Sequence, residues 1–117
     1  MTFEDFDALT ERVFDQIRDM RDTKGKEYAG KGDRFGNFNR LAAKLGIDRK
    51  MVWACYSTKH GDAIDSYIRE GGQTFSTESI QGRIIDRIVY DLLLLGFVEE
   101  DEQRLGQSQA DATGHPI

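Results

Sequence analysis

The sequence predicts an all-α protein, a small helical bundle of three long helices plus one short helix, assembled as a homo-oligomer. Apolar residues recur at spacings of three and four along most of the 117-residue chain, and the single proline, Pro116, lies where it interrupts no helix. The final helical pattern is apolar on two stripes at once, with Ile80, Ile84, Ile88, Leu92 and Leu95 on one and Ile85, Val89 and Leu93 on the other. A helix so broadly apolar must be covered on most of its sides. The other helices of one chain cannot do that alone, so copies of the chain are expected to cover the remainder.

Phe3, Phe6, Leu9, Val13, Ile17 and Met20 form the stripe of the first helix, which starts at a capping-box-like Thr2 and Asp5 and is expected to end near Asp22. A glycine-rich loop follows. Asn37 is the expected cap of the short helix carrying Phe38, Leu41, Ala42 and Leu45, with Gly46 in the position past its end. Asp48 is the expected cap of the second long helix, with a stripe of Val52, Cys55 or Tyr56, Lys59, Ala63 and Tyr67 and a stop at Gly71 and Gly72. Ser76 or Thr77 is expected to cap the last helix. Residues 1–98 therefore read as one helical domain, and residues 99–117, polar and aperiodic, as a disordered acidic tail.

Composition excludes several functions. A formal net charge of -5 argues against a duplex nucleic-acid binder, which needs a basic face. The longest apolar run, around Leu92 to Leu95, is far short of the ~20 residues that span a bilayer, and the acidic amphipathic start is no secretory signal. Cys55 is the only cysteine, so an internal disulfide and a CxxC zinc cluster are excluded, and a reducing cytoplasm fits.

Against this acidic background, KGKEYAGKGDRFGNF at 24–38 combines glycines, cations, aromatics and amides. Lys24, Lys26, Lys31 and Arg34 would attract phosphates, Asn37 and Asn39 would orient a ligand, and Tyr28 or Phe35 would stack on a base. It is no P-loop, because GxxxxGK[ST] is absent. A second group lies on the long helices. Lys59 intrudes on an apolar stripe beside His60, which calls for a carboxylate or a ligand anion. Asp86 is the obvious carboxylate, on one face with Arg83 and Tyr90. Both groups have plainer readings, the loop as a solvated linker and Lys59 or His60 with Asp86 as an interhelical pair fixing register.

Catalysis is not indicated. No helix pair carries the facing ExxE and ExxD sets with which all-α nucleotide pyrophosphatases hold Mg2+, and neither Ser57 nor Cys55 sits in a nucleophile elbow. No metal or cofactor is expected. The residues favour a nucleotide-like anion as ligand; a metal-dependent nucleotide hydrolase and a purely structural interaction module are the alternatives.

The segments KGKEYA, RFGNFNRLA, VWACYSTKHGDAIDSY and ESIQGRIIDRIVYDLLLL, spread from about Arg21 to Glu100, resemble small phage proteins. Part of the pattern is similar to the nucleotide modification associated domain 1 family, in which a similar aromatic-asparagine segment, a central lysine and a late aspartate on an apolar helix recur. The chain also resembles the Thoeris anti-defence sponges, phage proteins that bind a cyclic ADP-ribose signal and withhold it from host effectors. Gly61 and Asp91 depart from the pattern. The resemblance implies a phage-encoded protein of the host cytoplasm that binds and sequesters a nucleotide-derived signal.

Overall fold

The computed structural model describes residues 1–29, 33–72 and 78–113, and the side chains of these outside 23–29 and 108–113. They form four helices and no strand: α1 (Phe3–Ala29), α2 (Gly36–Leu45), α3 (Arg49–Arg69) and α4 (Ile80–Thr113). The all-α class and the pattern of three long helices and one short are as the sequence predicts.

Helix α1 starts at a reciprocal box: the Asp5 amide donates to Thr2 Oγ1 at 3.0 Å, and the Thr2 amide to Asp5 Oδ2 at 3.3 Å. It runs to Ala29 instead of stopping near Asp22. Lys, Glu and Ala in KGKEYA are strong helix formers, and one glycine, costing about 1 kcal/mol, does not offset them. The turn into α2 is built by Asp33, which accepts from the Phe35 amide at 2.9 Å and from Asn39 Nδ2 at 3.2 Å. Asn37 is therefore not the cap; α2 begins before it, with Phe35 at the cap position. At the other end Gly46 takes φ 68°, and the Ile47 amide reaches back to the Ala42 carbonyl at 3.1 Å.

Asp48 caps α3 as expected, accepting from the Lys50 amide at 2.7 Å, and Gly71 and Gly72 end it with φ of 68° and 91°. Its buried stripe is turned from the expected one. Val52 and His60 are buried, whereas Lys59 is exposed, so the buried lysine the sequence suggested is replaced by a buried histidine. Ser79 caps α4, its Oγ accepting from the Gly82 amide at 3.0 Å; Ser76 and Thr77 lie outside the described residues.

Residues 99–113 of the tail expected to be disordered are helical, and 114–117 lie outside the described residues. Helix α4 continues through the acidic run to Thr113, because those carboxylates dock: Arg49 Nη1 lies 2.7 Å from Glu100 Oε1, Arg49 Nη2 lies 2.9 Å from Asp101 Oδ1, and Lys50 Nζ lies 2.6 Å from Asp101 Oδ2. The hydrogen bond from Lys50 foremost, joined by that from Arg49 and opposed by desolvation, holds the Asp101 carboxyl below the usual carboxylate range.

The core sits where α2, α3 and α4 meet. Phe38, Ala42, Val52 and Phe97 are buried, ringed by Phe35, Leu41, Trp53, Tyr90, Leu93 and Leu94. Phe35 and Phe38 meet Phe97 edge-on, with centroids 4.5 and 5.3 Å away. The Arg49 guanidinium lies 4.7 Å from the Phe97 centroid, and Trp53 Nε1 donates to the Tyr90 carbonyl at 2.6 Å. Among its described side chains, helix α1 contributes only Ile17 to the buried set. The single chain is extended, with a radius of gyration of 18.4 Å, against the roughly 13 Å of a compact chain of this length. Among the described residues no helix is long and apolar enough to cross a membrane.

Candidate functional site

A turn of α3 and the first turns of α4 bring together His60, Arg83 and Asp86. His60 is on the buried stripe of α3, 8% exposed, with its ring centroid 5.1 Å from that of Tyr90. Its Nδ1 stands 3.9 Å from Asp86 Oδ2, beyond hydrogen-bond range, and has no partner. Arg83, one turn before Asp86, brings Nε to 3.1 Å from Glu78 Oε2, but outside hydrogen-bonding geometry; Nε and Nη1 are buried and make no hydrogen bond. Burial foremost pushes the His60 imidazole below the ordinary histidine value; the Asp86 carboxylate opposes this, and the Arg83 and Lys59 charges reinforce it. Burial thus favours the neutral imidazole, and at 3.9 Å its contact with Asp86, the interhelical pair expected from the sequence, is long. Burial likewise raises the Tyr90 phenol.

In front of Asp86 lies a recess of about 500 Å3 between α1 and the start of α4, lined by Gln16, Asp19 and Met20 on one side and by Glu78, Ser79, Gly82, Ile85 and Asp86 on the other. That volume is within the range of small-molecule sites. Its rim offers carboxylates, a hydroxyl and an amide; Arg83 and His60 are not among its lining residues, though Asp86, which is, lies 3.9 Å from His60 Nδ1.

The loop residues are not gathered at this recess. Lys24, Lys26 and Tyr28 fall in the last turns of α1, where side chains are outside the described set, and Lys31 is outside it altogether. Arg34 is exposed and Asn37 half-buried. Phe35 is committed to the core, packed on Phe97 with the Arg49 guanidinium 5.6 Å from its centroid, so it is not free to stack on a base. Asn39 holds Asp33 and borders a separate, open cleft with Arg49, Lys50, Asp101 and Arg104. Lys59, exposed on α3, acts on His60 only through its charge.

Sequence reasoning found His60, Arg83 and Asp86 but missed Gln16 and Asp19, whose side of the recess is set by how α1 crosses α4, and Ser79, which caps α4 on the other side. It also missed the pairing of Arg49 with Glu100 and Asp101, because adjacent acidic residues resemble a solvated helix end. Among the described residues no group of three His, Cys, Asp or Glu side chains is arranged to hold a metal ion. No protein-family model, curated protein or solved structure matches this chain.

Proposed function

We propose that the chain binds a small nucleotide-derived anion in the recess between α1 and α4 and holds it unchanged, withdrawing it from solution. The observation that supports this reading is the set of buried Arg83 nitrogens without acceptors, beside an equally unpartnered His60 Nδ1. Buried donors of this kind cost about 1 to 3 kcal/mol each when unmet, and an oxyanion supplies the acceptor they lack. The rim suits the rest of a nucleotide: Asp19, Asp86 and Ser79 can accept the hydroxyl and amino hydrogens of a sugar and base, which inorganic phosphate does not carry. The basic run at 24–34 adds a local positive field to an acidic chain, favouring approach of anions.

The resemblance to phage nucleotide-binding and anti-defence proteins points to the same ligand class, and with it to a phage-encoded protein that sequesters a signalling nucleotide in the host cytoplasm. Native mass spectrometry of the protein mixed with ADP-ribose, cyclic ADP-ribose or a cyclic dinucleotide tests the reading. A retained, chemically unchanged ligand is expected. Failure of all three to be retained would overturn it. The second reading is a metal-dependent nucleotide hydrolase: Asp19, Glu78 and Asp86 line the recess but are not themselves arranged to hold a metal ion, and a hydrolysed product formed with Mg2+ would select that reading instead.

A further inference from the structure

Helix α4 is apolar on two opposite sides. At 3.6 residues per turn, Arg83, Asp86, Tyr90, Leu93 and Phe97 share the side that packs on α2 and α3. Ile84, Ile88, Leu92 and Leu95 share the other, and they remain 36% to 56% exposed. The stripe is bounded by exposed Gln81 at one end and Glu99 at the other, so it is a closed apolar patch with polar ends.

We infer that this patch seats against the same patch of a second copy of the chain, with the two α4 helices antiparallel about a twofold axis at the level of Val89 and Tyr90. Three observations select that occupant and that orientation. The spacing is self-complementary when reversed: Ile84 comes opposite the partner's Leu95, Ile88 opposite the partner's Leu92, and Gln81 opposite the partner's Glu99. The charges on the flank are also self-complementary. Arg87 and Asp91 are exposed on one edge of the stripe, and in an antiparallel pair the same edges face each other, so Arg87 meets the partner's Asp91 twice. A parallel pair would set this edge against the opposite, uncharged edge around Ile85 and Val89, and leave both charges without a cross-chain partner. Finally, the chain exposes 8964 Å2, about 2,500 Å2 more than a compact monomer of its mass. One side of a standard interface needs roughly 800 Å2. Exposed ion pairs contribute little to affinity, so the apolar stripe drives association and the charges choose its direction.

The dimer is independent of the ligand reading, and its test uses the full chain without ligand. Sedimentation equilibrium at micromolar concentration is expected to give twice the 13.3 kDa of one chain. Arg87→Asp and Asp91→Arg each place like charges across the seam at surface positions that leave the fold intact, and each is expected to weaken association about tenfold. An equimolar mixture of the two variants regains association, because both cross-chain contacts are again opposite in sign. In a Cys55→Ser background, Ile84→Cys mixed with Leu95→Cys is expected to form an interchain disulfide that neither forms alone. A monomeric wild type, variants that associate as tightly as wild type, a mixture no tighter than its components, or a disulfide between two copies of Ile84→Cys would each overturn the inference.

Discussion

Arg83 is held in the fold at a cost. Two of its nitrogens are buried without hydrogen-bond partners, and the Glu78 carboxylate approaches Nε outside hydrogen-bonding geometry. Replacing it with an apolar side chain of similar length removes that penalty, so Arg83→Met is expected to leave the unliganded protein as stable or to raise its stability by about 1 kcal/mol. Chemical denaturation measures this, and a loss beyond about 1 kcal/mol would show that Arg83 supports the fold. His60 makes a separate, pH-dependent contribution. Its folded-state pKa is lowered by burial, so folding favours the neutral ring: the contribution is fully present above the unfolded value near 6.5 and is lost as pH falls from there toward the folded value. Between about pH 7.5 and pH 5.5, wild type should lose more stability than His60→Gln; equal losses would contradict the assignment. With the ring neutral and 3.9 Å from Asp86, Asp86→Ala leaves no buried charge behind and is expected to cost about 1 kcal/mol or less, not the 3 to 5 of a broken buried ion pair.

Between elements, close approach is decided by small residues and by one arginine. A Cβ at Gly96 would stand 2.8 Å from Phe35 Cζ, and that ring is confined by Phe97 and Arg49. Alanine is a better helix former by about 1 kcal/mol, but overpacking a core costs about 1 to 3, so Gly96→Ala is expected to lower the thermal midpoint; an increase would mean that the ring moves freely. Arg49→Ala removes two carboxylate contacts and the guanidinium packing on Phe35 and Phe97. Its expected cost is about 2 to 4 kcal/mol, together with fraying of α4 beyond Phe97, measurable as lost helical circular dichroism. These features also mark what was legible in the sequence. The caps Thr2 and Asp48 and the stops Gly46, Gly71 and Gly72 were readable because they act within a few residues of themselves. The extension of α4 was not, since it depends on carboxylates meeting Arg49 some fifty positions away. The expectation of a buried Lys59 failed for a related reason, because a one-residue rotation of α3 is fixed by packing and not by local pattern.

For the whole molecule, the extended shape follows from how little one chain can bury. Among the described residues five apolar side chains are buried, and Phe3 on α1 is 94% exposed. The same shape leaves the recess between α1 and α4 open to solvent, and its two walls come from helices whose crossing the sequence does not encode locally. Half of the candidate site, His60, Arg83 and Asp86, was visible as polar groups on otherwise apolar helices; the α1 wall was not. The basic run was visible too, but its cations at 24, 26 and 31 lie outside the described side chains, Phe35 packs against the core and Asn39 faces a different cleft.

The central claim is that Arg83 seats an anion, and calorimetric titration of ADP-ribose and cyclic ADP-ribose into wild type, Arg83→Met and Arg34→Ala tests it most directly. Each charge-assisted hydrogen bond lost is worth about 1.5 to 3 kcal/mol, so Arg83→Met is expected to bind at least tenfold more weakly than wild type while folding as well, and exposed Arg34→Ala to bind within a few-fold of wild type. Binding by Arg83→Met equal to that of wild type, or no binding of either ligand by wild type, would contradict it.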